Sequence, residues 1–362
     1  MQDADHIKPL TALRFFAAFW VVLFHYWHAL DVSFIPVAVT RGYLGVEAFF
    51  TLSGFILCHV YLSGLAEGRF RYASFLWNRL ARVYPLHLAT LIGMGVLAGG
   101  ATIAGLGVDP NILNWPSLPA NLLLLHAWGL APTAAWNHPS WSISAEWFAY
   151  LTFPVFAWAT LKLRTRPILA VVGAFSLLIL LYSAFEHFAG FPLARATIHW
   201  GALRIVPCFA FGCSLYLVWR AYAADGRKAA LSAVFFGAVV LGAASLGGGD
   251  ALIVGALGGL ILSLAQMAKS GSTFATQAPF VYLGEISYSV YMICIPWQIV
   301  YVNSVSRILG INDERLPLYA WLVLLLGVIP LSAASYHMIE KPARAWMKLI
   351  ADKRRAHKLA TA

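Results

Sequence analysis

Charged residues are scarce in this sequence. Only 11% of its 362 residues are Asp, Glu, Lys or Arg, whereas 60% are hydrophobic. A water-soluble domain is roughly one quarter charged and about half apolar, and it cannot cover this much apolar surface. The composition therefore excludes an ordinary soluble protein and predicts a membrane protein.

Cysteine is also rare, and its placement argues against two kinds of site. The sequence has four cysteines, all in apolar segments: Cys58, Cys208, Cys213 and Cys294. Their spacing is not that of metal ligands, and it indicates no disulfide framework. We therefore expect no metal site and no cofactor, and we interpret the cysteines as small buried residues.

Long polar connections are missing as well. The formal net charge is +10, but Lys and Arg lie in short connections between apolar runs. No connection is long enough for a soluble domain, and no two-halves repeat of the kind found in many transporters is visible. The positive charge is therefore attributed to membrane topology and not to a nucleic-acid partner.

Long apolar runs are what the sequence has in abundance. Each run of about 20 residues is long enough to cross roughly 30 Å of hydrocarbon as a helix. We predict an all-α polytopic bundle of about ten spans, near residues 9–30, 43–62, 80–100, 141–161, 168–186, 198–219, 229–247, 250–268, 280–302 and 317–339. A shorter apolar stretch over residues 118–130, in a region rich in Pro and Trp, predicts a re-entrant or interfacial helix.

The distribution of basic residues orients the predicted bundle. The first apolar run follows Asp3 and Asp5 instead of a basic leader, so we interpret it as a retained span and not as a secretion signal. A cytoplasmic N-terminus puts most Lys and Arg on the inner side, and both ends are then expected there. We divide the chain into a transmembrane domain over residues 1–345 and a basic cytoplasmic tail over residues 346–362.

Arg14 and His25 are ionisable residues within the first predicted span. Such a group costs a few kcal/mol unless it faces the bundle interior or water. Their spacing of 11 residues, at about 100° per residue, places both on one helix face, about 16 Å apart along the axis. This arrangement indicates a path from an inner anionic ligand to an outer acceptor. Alternatively, Arg14 snorkels to the surface and His25 is a hydrogen-bonded core residue.

Glu47 lies in the motif Gly45–Phe55, towards the outer end of the second predicted span. We expect it at the depth of His25, where a carboxylate orients a neutral imidazole as a general base. In the alternative interpretation, Glu47 bonds to the backbone or pairs with Arg41. Ser53-Gly54 then only permits close helix packing.

A second polar cluster, Trp141, Ser142 and Glu146, begins the fourth predicted span. Ser142 and Glu146 are four residues apart and share a helix face. Alternatively, Ser142 caps the helix and Trp141 lies at the membrane interface. That alternative explains Ser142 more easily than Glu146.

Arg79 and Arg82 begin the third predicted span at its inner end. Together with Arg14 they predict a basic mouth for a phosphate-bearing ligand, although topology alone also explains Arg79 and Arg82. Glu340 ends the tenth span, and we interpret it as an inner carboxylate that neutralises these arginines. Arg204, in the sixth span, is a further buried charge whose partner the sequence does not identify.

Six segments in this order resemble the acyltransferase 3 family, found mainly in bacteria. The matching segments are Arg14 with His25, Gly45–Phe55, Arg79–Pro85, Trp141–Glu146, Leu283–Tyr291 and Glu340–Trp346. They extend over nearly the whole chain, and six motifs in order are far more specific than any single one. The sequence departs from the family at Cys294, where many members have His.

The resemblance implies an enzyme that moves an acyl group, usually acetyl, onto a sugar hydroxyl. It further implies acetyl-CoA as the donor, a glycan as the acceptor and the bacterial inner membrane as the location. The catalytic candidates are then His25, Glu47 and Glu146, and the substrate-binding candidates are Arg14, Arg79, Arg82, Trp141, Ser142 and Tyr288.

In this hypothesis the donor phosphates bind the arginines, and the thioester approaches His25. His25 either removes the proton of the acceptor hydroxyl or accepts the acyl group transiently, while Glu47 or Glu146 orients its ring. The alternative function is a transporter or flippase for a glycolipid or a small anion. Intramembrane charges permit it, but the missing repeat symmetry argues against it.

Overall fold

The computed structural model describes residues 7–106 and 112–360, with side chains described up to residue 353. The leader carboxylates Asp3 and Asp5, and the last two residues of the expected tail, lie outside the described residues. The described chain is helical and has no strand beyond one isolated bridge, between Leu30 and Leu316. The all-α prediction is confirmed.

The described chain has twelve helices of eight or more residues. They are α1 (Lys8–Tyr26), α2 (Gly45–Ala66), α3 (Tyr72–Ile103), α4 (Trp141–Lys162), α5 (Pro167–Ala189), α6 (Gly201–Ala221), α7 (Gly226–Ser245), α8 (Asp250–Lys269), α9 (Ala278–Glu285), α10 (Ser287–Leu309), α11 (Leu318–Ser335) and α12 (Lys341–Ala360).

Ten of the eleven described helices of 18 or more residues, α1–α8, α10 and α11, overlap the ten predicted spans. Nine helical segments of the described chain are long and apolar enough to cross a membrane. Helix α4 is not among them, because its Ser, Trp and Tyr residues and Glu146 lower its mean hydropathy. It nevertheless packs inside the bundle against α2 and α6.

Two predicted helices are interrupted in the structure. The stretch 118–130 forms one helical turn, Leu118–Leu122, and then an irregular turn, because Leu124 has a positive φ of 58°. A positive φ is incompatible with a continuing right-handed helix. The predicted span 280–302 is divided at Ile286 into α9 and α10.

Helix α6 lies at the centre of the bundle, against α2, α4, α5 and α8. Its closest approach is to α2, where two glycines face each other. A Cβ on Gly54 would collide with the carbonyl of Phe209, and a Cβ on Gly212 would collide with the carbonyl of Thr51. Small residues let helix backbones approach closely in a membrane. Gly54 thus permits close helix packing, as in the alternative interpretation of Ser53-Gly54, whereas Ser53 donates a hydrogen bond to Glu146.

Helices α1 and α3 carry the arginines of interest. Helix α1 packs against α2, α9 and α10, and Gly284 of α9 lies against the backbone of Thr11. Helix α3 packs against α10 and α12, and the Trp77 indole donates a hydrogen bond to the Met347 carbonyl over 2.8 Å. Residues 346–360 of the expected basic tail thus belong to a helix that packs against α3.

The glycine contact between α2 and α6 can be tested with a single methyl group. Gly212→Ala should lower the free energy of unfolding by about 1–3 kcal/mol, because two backbones must separate. Gly64→Ala is the matched control, since nothing lies within 4 Å of its Cβ position. The control should be neutral or slightly stabilising, as Ala is favoured over Gly in a helix. Thermal unfolding in detergent measures both, and equal melting temperatures would contradict the packing described.

Candidate active site

A cavity of about 180 Å³ lies among α1, α2, α3, α4 and α10. Six of the nine predicted site residues line it: Arg14, Arg79, Arg82, Ser142, Glu146 and Tyr288. They come from four helices, so the structure brings together residues that are up to 274 positions apart in the chain. The other three predicted residues, His25, Glu47 and Trp141, are not among its lining residues.

The three arginines of the cavity lack carboxylate partners. Arg79 donates to the Tyr61 hydroxyl over 3.3 Å, and its buried Nε has no hydrogen-bond partner. Arg82 and Arg14 repel each other electrostatically. Among the ion pairs of the described residues, none closer than 4.0 Å involves any of the three. Converging guanidinium groups without carboxylate partners are suited to binding a phosphate-bearing anion.

Glu146 is held at the cavity wall by two hydroxyl groups. Ser53 of α2 donates to its Oε1 over 2.9 Å, and Tyr150, one turn further along α4, donates to the same atom over 2.5 Å. Glu146 also attracts Arg14 electrostatically. The carboxylate therefore faces the arginine side of the cavity, where it can fix a donor or neutralise part of the positive charge.

Glu47 forms a buried ion pair with Arg204. Nε and Nη2 of Arg204 donate to the two carboxylate oxygens over 2.6 and 2.9 Å, and both side chains are at most 2% exposed. The Ala196 carbonyl accepts a further bond, and the guanidinium carbon lies 4.5 Å from the centre of the Trp141 ring. Arg204 thus has the partner that the sequence did not identify, and Trp141 packs on that pair instead of lining the cavity.

His25 lies near the other end of α1 from the cavity arginines. Its ring centre is 6.3 Å from that of His138, and its carbonyl accepts from Gln298. The expected contact with Glu47 or Glu146 is not found in the part of the chain that the structure describes. The reason is that each carboxylate has other partners. Burial lowers the pKa of His138, so its ring is neutral beside His25 at pH 7.

Ser142 and Tyr288 join elements at the cavity. Ser142 donates to the Pro139 carbonyl over 3.2 Å, so its hydroxyl does not form the expected cap with a helix N–H. Tyr288 of α10 donates to the Val83 carbonyl over 2.6 Å. That bond fixes α10 to α3 next to Arg82. Neither contact tests a role in binding substrate.

Several cavity residues were not among the predicted site residues. Ser53 and Tyr150 hold Glu146, and Tyr291 lines the cavity beside Ser142. The sequence contained a signal for Tyr150, which follows Glu146 by four residues and so shares its helix face. For Ser53 the sequence placed a hydroxyl in a motif but gave no indication of its partner on another helix.

The contribution of the Glu47–Arg204 pair to the free energy of unfolding can be tested by substitution. Arg204→Met should lower the free energy of unfolding by about 3–5 kcal/mol, because it leaves a buried carboxylate uncompensated. Arg69→Gln is the control, since it breaks the exposed pair with Glu67 and should cost about 0–1 kcal/mol. The double variant Glu47→Gln/Arg204→Met should recover part of the loss. Denaturation in detergent measures all three, and equal losses for the two single arginine variants would refute the assignment.

The chain is similar in sequence to proteins named as acyltransferases. An O-acetyltransferase OatA of Staphylococcus aureus is 23% identical over 370 residues, which cover 95% of this chain and 58% of that protein. An acyltransferase MdmB of Streptomyces mycarofaciens is 34% identical over 168 residues, covering 44% of this chain and 41% of that protein. The chain thus spans about half the length of the curated relatives it matches. No solved structure matches it.

A family model described as an acyltransferase domain matches residues 7–337, which include every predicted site residue. That range begins just before α1 and ends in the turn between α11 and α12, so it contains the whole cavity. Five of the six motifs lie within this range, and Glu340–Trp346 lies just beyond it. The resemblance to the family is confirmed, and the chain belongs to the acyltransferase 3 family.

Proposed function

We propose that this protein is an integral membrane O-acyltransferase that moves an acetyl group from acetyl-CoA to a sugar hydroxyl of a surface polysaccharide or glycolipid. The observation that carries the proposal is the cavity in which Arg14, Arg79 and Arg82 converge without carboxylate partners. Membership of an acyltransferase family and a relative named as an O-acetyltransferase support it. The location we propose is the bacterial inner membrane, with both chain ends in the cytoplasm, where acetyl-CoA is available.

The size of the cavity indicates which part of the donor can bind inside it. Pockets that enclose drug-sized ligands measure about 300–1,000 Å³. A cavity of about 180 Å³ therefore admits the acyl-bearing arm of acetyl-CoA and leaves the nucleotide outside. The arginines lie where the phosphates of such a donor meet the protein. This arrangement directs the thioester away from the arginines, along the face of α1 that leads to His25.

The chemical step needs one base. The acceptor oxygen attacks the thioester carbonyl, the carbon–sulfur bond breaks, and the hydroxyl proton passes to His25 and then to the departing thiolate. In the two-step variant, His25 itself takes the acetyl group before the hydroxyl does. The ring of His138 lies beside that of His25, and His138 is four residues before Ser142, which lines the cavity. His25 is therefore close to the cavity wall. Glu146 stays a candidate for fixing the donor, whereas the ion pair of Glu47 favours a structural role.

Acetyl transfer from labelled acetyl-CoA to glycan, in membranes with matched expression, tests the proposal. His25→Ala should lower the rate by about 10² to 10⁴, the usual contribution of a general base. Arg14→Ala should lower it mainly by weakening donor binding. The controls are His28→Ala and Arg164→Ala, whose side chains are exposed, and both should keep the wild-type rate.

The outcomes separate the candidate functions. Unchanged transfer by His25→Ala would overturn the mechanism. If the wild type transfers no label and instead moves a glycolipid across the membrane, the transporter alternative replaces the enzyme. Equal losses in the variants and in their controls would indicate a general effect on folding, which thermal unfolding of the same samples detects.

A further inference from the structure

Two further cations reach the arginine cluster from α12, beyond the residues that the family model matches. Arg344 is half-buried, and Lys348 is one helical turn further on, on the same face of α12. Both side chains are repelled electrostatically by Arg79 and Arg82. The bond from Trp77 to the Met347 carbonyl holds this part of α12 against α3. The two cations thus lie near Arg79 and Arg82, which line the cavity.

The charge of this cluster is not balanced by the protein. Its positive members are Arg14, Arg79, Arg82, Arg344 and Lys348. Two nearby carboxylates, Glu146 and Glu340, already accept bonds from hydroxyl groups, and a third, Asp352, attracts Lys348 electrostatically. Five positive and three negative charges leave a net of two. Within residues 7–106 and 112–353, none of the five cations has an ion pair closer than 4.0 Å. Such a concentration of charge favours a polyanion.

The five cations form one cluster, because α12 packs against α3, the helix that carries Arg79 and Arg82. Arg14 interacts electrostatically with Arg82, and Arg82 with Arg344 and Lys348. Arg14 and Arg82 line the cavity, whereas Arg344 and Lys348 are not among its lining residues. Lys348 is exposed. A donor whose reactive arm enters the cavity therefore places its opposite end beside α12.

In coenzyme A, the end opposite the thiol is a ribose that carries a 3′-phosphate. We propose that Arg344 and Lys348 bind this 3′-phosphate and so select the full coenzyme A nucleotide as the donor carrier. The inference rests on the proposed function, because it takes an acyl-CoA as the donor. A guanidinium matches two phosphate oxygens at once, and an ammonium adds a point charge. Helix α12 thereby becomes part of the substrate site.

Donor preference tests this assignment directly. The purified protein in lipid nanodiscs is given acetyl-CoA or 3′-dephospho-acetyl-CoA, and KM is measured for each. In the wild type, the missing phosphate should raise KM at least about tenfold, as charged hydrogen bonds contribute about 1.5–3 kcal/mol. In Arg344→Gln/Lys348→Gln, KM for acetyl-CoA should rise by a similar factor, and the two donors should become equivalent.

Lys353→Gln is the matched control, because Lys353 is an exposed cation on the same helix. It should keep the wild-type preference. A preference that survives in the double variant would overturn the inference, as would an equal rise in KM for both donors. Wild-type transfer without any preference between donors would also overturn it, while leaving the proposed function intact.

Binding of CoA and 3′-dephospho-CoA, measured by calorimetry on the same nanodiscs, separates the two proposals when no transfer is seen. If the wild type binds CoA more tightly than 3′-dephospho-CoA and the double variant does not, the contact of Arg344 and Lys348 with the 3′-phosphate is supported. The proposed acceptor is then the part of the proposed function that is wrong. Absence of binding by either nucleotide would overturn both proposals.

Discussion

The buried ion pair between Glu47 and Arg204 is the interaction on which the arrangement of this bundle depends. An arginine in hydrocarbon is stable only if every donor finds an acceptor, because water is not there to replace one. Arg204 makes four hydrogen bonds, two to the carboxylate of α2 and two to backbone carbonyls, and the face of Trp141 lies against its guanidinium group. The pair joins α2 to the central α6, and the glycine contact between Gly54 and Gly212 keeps the same two helices together nearer to the other membrane surface.

The arginines of the cavity, unlike Arg204, have no carboxylate partner among the described residues. Arg14, Arg79 and Arg82 lie among packed helices, yet none of them forms an ion pair closer than 4.0 Å with a carboxylate of the described residues, and Arg79 donates only to the Tyr61 hydroxyl. A bundle that can neutralise Arg204 so completely could neutralise these arginines in the same way. Their incomplete pairing lowers stability in the absence of an anion and leaves the attraction available for binding one. The charge of Arg204 thus stabilises the fold, whereas the charges of the cavity arginines are available for binding an anion.

The sequence predicted the helices well because their signal is simple. A membrane span must satisfy its backbone within itself, so length and hydrophobicity suffice. Sequence also selected the six residues that meet at the cavity. It did not pair Glu47 with Arg204, although it singled out both, because partners 157 positions apart are decided by packing. It could not place Glu146 beside Ser53 for the same reason. The break at Leu124 depends on a backbone angle that no composition signal marks.

The chain passes from α11 into α12 without a loop. Between Ser335 and Lys341 it makes one wide helical turn, Tyr336–Glu340, so the two helices are continuous in backbone terms. Each residue added to or removed from such a connection rotates everything after it by about 100°. The direction in which Arg344 points is therefore fixed by the number of residues in this turn. Connecting segments usually tolerate insertions, but this one cannot gain or lose a residue without turning Arg344 away from Arg79 and Arg82.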